Sequence, residues 1–497
     1  MKGLVSLIKT MRPSEKRLLI HHYSRNSNSE QKMKLKLFHL INKGVSSDDE
    51  AKQKLNGSRG SSAYSHLKRR LRDDILNVLL MQDTSKRLAQ PNRAAELDCR
   101  KKVAQSHLLL LRGARIEGMR LIESALKSAD KYELLAERLQ INHLLREKFL
   151  GVGESSELLE LNEVIATDMK RYEALLQVQE KSFLLASPEF AKSLKSRARD
   201  KHNLELIASL KNQYARFKLA RIGFWYYMAA TEYYSAKREF EEVVPLAKKF
   251  LKLVEESPAV RSKTNIAGVN QTVGIAQLEL RKYDEAIQHF ERSVGLFPAA
   301  GFNKLTSLQF LVQAEVADNQ YQEALDHTEL ALSHPRIERR EQLRPRWLYL
   351  KSSAEFLAGD IDASFKSLNE VGYLLKQIDE WNVQLRILEM LQLVEQRDEE
   401  WLEFKLDATR KFLNRHKELY TDRVRFAVDS IAHLLRNDLN YLSLSDSLKY
   451  RLKSSLEEQK GLEWDPSGPE LVRFDLWLKK KLPFSQEEND STAEDNL

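Results

Sequence analysis

One cysteine, Cys99, in a chain of 497 residues cannot form an internal disulfide. That excludes the disulfide-stapled secreted scaffolds and fits a reducing compartment. Glycine and proline are scarce, with 17 and 11 positions, so few turns interrupt the chain and long helices are expected. No segment approaches the roughly 20 apolar residues that span a bilayer. The apolar run in MKGLVSLIKTMRPSEKR is too short for a signal peptide. The expectation is a cytoplasmic protein without membrane contact. Catalytic signatures are missing as well. There is no phosphate-cradling GxxxxGK followed by Ser or Thr, no HExxH, no CxxC and no Gly-x-Ser-x-Gly elbow. An enzyme is therefore the least favoured class, and neither cofactor nor metal is expected.

What the chain does have is charge and apolar residues, 31% and 42%, enough for a sizeable core. The net charge of +8 is uneven, because residues 1–100 carry 21 Lys or Arg against 10 Asp or Glu. The basicity belongs to one end, and the rest is close to neutral.

Residues 266–298 read IAGVNQTVGIAQLELRKYDEAIQHFERSVGLFP. Small Gly274, Ala276 and Ala286 fall where two short helices would cross closely. Val273, Tyr283, Ile287, Phe290 and Val294 fill between them, and Pro298 stops the second helix. Looser copies carry Ala314, Tyr321, Ala324 and Ala331, with Pro335 closing; Ala354, Gly359, Ile361 and Leu368; and Ala230, Tyr234, Phe240 and Ala247. In the last of these, Pro245 breaks the pattern. Phe240, Tyr283, Tyr321 and Ile361 are 43, 38 and 40 residues apart. The pattern resembles the tetratricopeptide repeat, a helix–turn–helix unit of about 34 residues whose copies stack to bury their apolar faces. The resemblance implies an all-α, right-handed helical-repeat solenoid, with turns near Lys237, Lys282, Asn319 and Gly359.

Composition divides the chain into a basic helical N-terminal module (1–88) and degenerate hairpins (89–203). Tetratricopeptide-like repeats (204–377) and C-terminal helices (378–484) follow, then an acidic tail (485–497) read as disordered. Within the module, Tyr64, Leu67, Leu71, Ile75 and Val78 mark one face of a helix. Met33, Leu35 and Leu37 alternate, which suits a strand as well as the helix preferred here. WDPSGPE, residues 464–470, reads as a turn-rich break.

Several features invite a functional reading. GSRGSS at 57–62 lacks the lysine and strand of a phosphate loop and reads as a linker. GVG at 151–153 is too short for a dinucleotide fingerprint, and adjacent His21 and His22 diverge by about 100° on a helix. Lys68, Arg69, Arg70 and Arg72 could contact nucleic-acid phosphates. They spread around a helix, however, and Asp73 and Asp74 follow, which favours a solvated face. The aromatic run FWYYMAATEYY, 224–234, reads as packing between helices, with a partner-binding floor as the alternative.

In the resembling family the first helix of each pair lines a binding groove. Carried over by position, the groove residues are Trp225, Met228 and Glu232; Gln271, Ile275 and Leu278; Gln309, Gln313 and Val316; and Arg346, Tyr349 and Ser353. The Lys/Asn set that clamps a C-terminal carboxylate in some relatives is missing. The leading expectation is a non-enzymatic scaffold that binds a protein or peptide of unknown identity. The alternative is a regulator whose residues 1–88 bind nucleic acid while the repeats sense a partner.

Overall fold

The computed structural model describes residues 1–25, 28–55, 61–81, 90–147, 155–186, 196–372 and 377–482, and every regular element among them is helical. Most of GSRGSS, all of GVG and the acidic tail lie outside the described residues. The chain divides into two compact units, Met1–Leu88 and Ala89–Leu497.

The first unit holds α1 (Lys2–Thr10), α2 (Pro13–Arg25), α3 (Ser29–Asn42), α4 (Asp48–Lys54) and α5 (Ser61–Met81). The strand alternative at Met33–Leu37 gives way to helix. The Asn28 side chain accepts the Gln31 N–H at 2.9 Å and caps α3. Leu37, Phe38 and Ile41 then share one buried face. They meet Tyr64, Leu67, Leu71 and Ile75 of α5, together with Leu4, Ile8, Leu19 and Tyr23, in one core.

The second unit is a run of antiparallel helices that pack in chain order, a helical-repeat solenoid. It begins with α6 (Pro91–Leu111), α7 (Arg115–Lys131), α8 (Leu135–Glu147), α9 (Ser156–Ala186) and α10 (Ser196–Phe217). The regular pairs follow. They are α11 (Ala220–Ala236) with α12 (Phe240–Glu256), α13 (Lys263–Glu279) with α14 (Tyr283–Leu296), and α15 (Phe302–Ala317) with α16 (Tyr321–Leu332). A short α17 (Pro335–Arg339) precedes α18 (Arg344–Leu357) with α19 (Ile361–Asn369), and then α20 (Glu380–Gln396) with α21 (Glu399–Arg415). Last come α22 (Asp422–Arg436), α23 (Asp446–Leu456) and α24 (Phe474–Lys481).

Each pair turns in the same way. Arg238, Arg281, Asn319, Gly359 and Arg397 all take a left-handed backbone, with φ of 60°, 60°, 61°, 91° and 57°. The next residue's N–H then donates to the carbonyl five residues back: Glu239 to Tyr234, Lys282 to Gln277, Gln320 to Glu315, Asp360 to Glu355 and Asp398 to Leu393, at 2.8–3.0 Å. This closure satisfies carbonyls that a helix end would otherwise leave open. The turns fall where the repeat spacing predicts them. The small positions behave as expected too, since Ala276, Ala286, Ala314, Ala324 and Ala354 are fully buried or nearly so.

Two prolines act differently from the sequence reading. Pro245 sits inside an unbroken α12, and its missing N–H forgoes only the bond to Glu241 in the first turns. Pro335 opens α17 as its first residue, where an N–H has no helical partner in any case.

Candidate binding site on the first helices

The segment WDPSGPE is not a simple break between helices. Beyond α23 the chain runs back without regular structure along the first helices of the pairs, as a strap that ends in α24. Its contacts reach far up the chain. Arg238 binds Asp465 at 3.2 Å and Glu279 at 2.7 Å, and the Ser467 hydroxyl donates to Glu279 at 2.6 Å. The Gln313 amide donates to the carbonyls of Ser467 and Gly468, at 2.9 and 2.6 Å, and the Tyr349 hydroxyl donates to that of Pro469 at 2.7 Å. Arg281 pairs with Glu458 and lies over the Trp464 ring, which Arg473 covers at 4.8 Å.

The strap's anchor is a buried charge cluster. Arg423 forks Glu470, Nε to Oε2 at 2.5 Å and Nη2 to Oε1 at 2.9 Å, and lies 3.2 Å from Asp475. Burial disfavours the charged guanidinium, but Glu470 and Asp475 outweigh it and hold Arg423 above its ordinary value. Burial alone would lift Asp475, yet Arg473 and Arg423 keep its carboxyl low. At the opposite end of the strap, burial lifts the Glu279 carboxyl. Ser467 and Arg238 oppose that shift, and Asp465 adds to it.

The strap covers part of the face that the repeat pattern singles out. Gln313, Tyr349 and Ser353 are buried, with Gln313 and Tyr349 bonded to the strap and Ser353 bonded to the Tyr349 carbonyl at 2.9 Å. Leu278 and Val316 are buried in the core. Nearer the start of the first helices the face is open. A cavity of about 350 Å³ is lined by Phe302, Thr306, Gln309, Gln342, Arg346 and Trp347, among others. The Gln309 side-chain amide makes no hydrogen bond among the described residues, and Gln271 and Ile275 are half-buried on the preceding first helix.

The α11 residues lie apart from that cavity. Trp225 stands edge-on to Phe183 and Phe224, at 5.5 and 5.9 Å between ring centres, and lines a different cavity of about 340 Å³ with Asn92 and Arg221. Met228 packs against the Phe250–Val254 cluster. Glu232 opens to solvent on one side, but the protein around it lifts its carboxyl above the ordinary value. The twelve carried-over groove residues thus fall into a covered set, a core pair (Leu278 and Val316), an open set and the α11 set.

Within the first unit, Lys68 binds Asp48 at 2.7 Å and lies over Tyr64, Arg70 binds Glu30 at 2.5 Å, and Arg72 lies 3.7 Å from Asp73. Arg69 contacts only the His66 ring, at 3.2 Å, among the described residues. Cys99 is fully buried, with its thiol pushed up to about 11, chiefly by burial. Among the described residues no cluster of three or more His, Cys, Asp or Glu could hold a metal ion. None of their helices is long and apolar enough to cross a membrane.

Nothing in the repeat pattern points to Arg238, Glu279, Arg281 and Arg423 as partners of the strap. Arg238 and Arg281 are marked only by occupying the same turn position in successive pairs, where glycine would be the easier residue.

No protein-family model matches the chain, and no curated protein matches it. Among solved structures it is similar to a signal-transduction ATPase of the STAND class with a tetratricopeptide-repeat sensor, from Pyrococcus horikoshii. Identity is 14%, over 86% of this chain and 66% of that one, with a TM-score of 0.44. This chain therefore spans just under two thirds of that protein's length. It is also similar to a tetratricopeptide-repeat protein from Parabacteroides merdae, at 11% identity over 69% of this chain and 99% of that one, with a TM-score of 0.31.

Proposed function

We propose that this chain is a non-enzymatic scaffold that takes an extended segment of a partner protein on the open end of its first helices. The binding residues in this reading are Gln271, Ile275, Gln309 and Arg346, with Phe302, Thr306 and Trp347 as apolar and hydroxyl neighbours. One observation carries it. The same face already holds an irregular, extended stretch of the chain itself, through side chains of the same kinds. Beside that stretch is a cavity whose amide Gln309 has no partner among the described residues. A surface that binds one extended backbone through amides is chemically suited to a second. Trp225 and Met228 belong to a separate neighbourhood, so they are not part of this site.

The reading in which residues 1–88 bind nucleic acid draws nothing from the Lys68 cluster, because three of its four cations face carboxylates.

The test fills the cavity. Thr306→Trp should abolish capture of partners that the wild-type chain retains from native cells, with helicity unchanged. Gln322→Ala, in the first turn of α16 and exposed, should retain them. Equal capture by both variants would remove the cavity from the binding surface.

A further inference from the structure

The strap carries its own recognition pair. Its carbonyls at Ser467 and Gly468 accept from the Gln313 amide, and the Glu470 carboxylate, two residues on, is forked by Arg423. An amide holds the backbone and an arginine holds an acidic side chain in mid-segment.

The open cavity repeats that pair of groups without an occupant. Gln309 lies one helical turn before Gln313 on α15, and Arg346 shares the cavity with it. The Arg346 guanidinium lies 4.4 Å from the centre of the Trp381 ring. Stacking fixes its plane and leaves its N–H edge available. No carboxylate is within ion-pair distance of Arg346 among the described residues. Asp379, whose charge acts on Arg346, already accepts the Asn382 N–H at 2.9 Å. Burial holds Arg346 below its ordinary value, with Asp379 opposing. A half-buried guanidinium without an ion-paired carboxylate among the described residues is unfavourable until an anion arrives. Phe302, 52% exposed, supplies an apolar wall beside it.

We infer that the segment bound here is acidic: an extended partner peptide whose internal Asp or Glu carboxylate is forked by Arg346. Its backbone lies on Gln309, and a neighbouring apolar side chain rests against Phe302 and Trp347. This rests on the proposed scaffold function and adds the chemistry of the partner. The carboxylate is that of a side chain within the segment, as Glu470 is within the strap.

Fluorescence anisotropy on the full chain tests it, with two fluorescein-labelled, C-amidated peptides, GSEFGSG and GSQFGSG. The acidic peptide should bind about tenfold or more tighter, the difference expected for a charge-assisted pair. Arg346→Gln should bring the two affinities together, and Arg346→Lys should restore only part of the gap, because it keeps the charge and loses the fork. Gln309→Ala should weaken both peptides by the same factor. Equal binding of the two peptides to wild type, with Gln309→Ala weakening both, would overturn the acidic preference and leave the scaffold reading standing. Failure of both peptides to bind would overturn the two together. A preference that survives Arg346→Gln but disappears in Lys68→Gln/Arg69→Gln would place charge selection in the first unit and also overturn the inference.

Discussion

A methyl group added at Gly274 would sit 2.7 Å from the Phe290 ring, whereas one added at Gly268, two turns earlier on the same helix, would meet nothing within 4 Å. Gly274→Ala should therefore lower stability. Overpacking costs about 1–3 kcal/mol, only partly offset by a helix-propensity gain of about 1 kcal/mol. Gly268→Ala keeps the gain without the clash and should raise the melting temperature. If both variants melt higher than wild type, the crossing is looser than described. The left-handed turn residues make a second comparison. Arg397 holds a φ of 57°, which costs a side-chain-bearing residue about 1–2 kcal/mol that glycine avoids. Arg397→Gly should raise the melting temperature, whereas Arg281→Gly should not, because it also removes the contacts to Glu458 and Trp464. These positions show what was legible in sequence. Gly274 and Ala286 could be placed because small size at a fixed offset is a local signal. Arginine at a left-handed turn is marked only by recurring at the same repeat position, so spacing locates the turns and leaves their backbone geometry unspecified.

Among the elements, the strap separates what periodicity can reveal from what it cannot. Helices announce themselves through a recurring apolar face, as α5 and α14 do. An irregular segment held by backbone carbonyls and buried charge has no period, so WDPSGPE read as a turn. Gln313 and Tyr349 lie on first helices, but the carbonyls they bind are more than a hundred residues away in sequence and leave no local trace. Arg423 is the strap's keystone. Removing one partner from a buried, hydrogen-bonded charge cluster leaves the others uncompensated, at a cost of about 3–5 kcal/mol. Arg423→Ala should destabilise the second unit on that scale and free Trp464, whose indole N–H now donates to the Glu470 carbonyl at 2.9 Å. A red shift of tryptophan emission would report the release. An unchanged spectrum with an unchanged melting temperature would mean the strap is held by its apolar contacts alone.

For the molecule as a whole, the shifted groups set how stability varies with pH. Burial lifts the carboxyls of Glu232, Glu279, Glu315 and Glu355. Each binds its proton more tightly folded than unfolded, so each adds stability as pH falls through its raised folded value. His327, raised by its hydrogen bond to Glu315, acts in the same direction, since its contribution is full below the unfolded value and lost as pH rises. His289 and His334, held low by burial, act in the opposite direction. Asp48, held at about 2 by Lys68, and Asp475 contribute stability above the ordinary carboxylate range and lose it as pH falls through their depressed values. The melting temperature should therefore fall on acidification below the ordinary carboxylate range, as Asp48 and Asp475 take up protons. A melting temperature that stays level there would contradict this assignment.

The strap also has a consequence in time. Neighbouring helix pairs can pack as soon as they leave the ribosome, but Tyr349 precedes by 120 residues the carbonyl to which it donates. At a synthesis rate of about 5–20 residues per second, that interval lasts about 6–24 s. During it the nascent solenoid presents its first helices bare, and the strap, once made, closes over a face that any waiting ligand could already have reached.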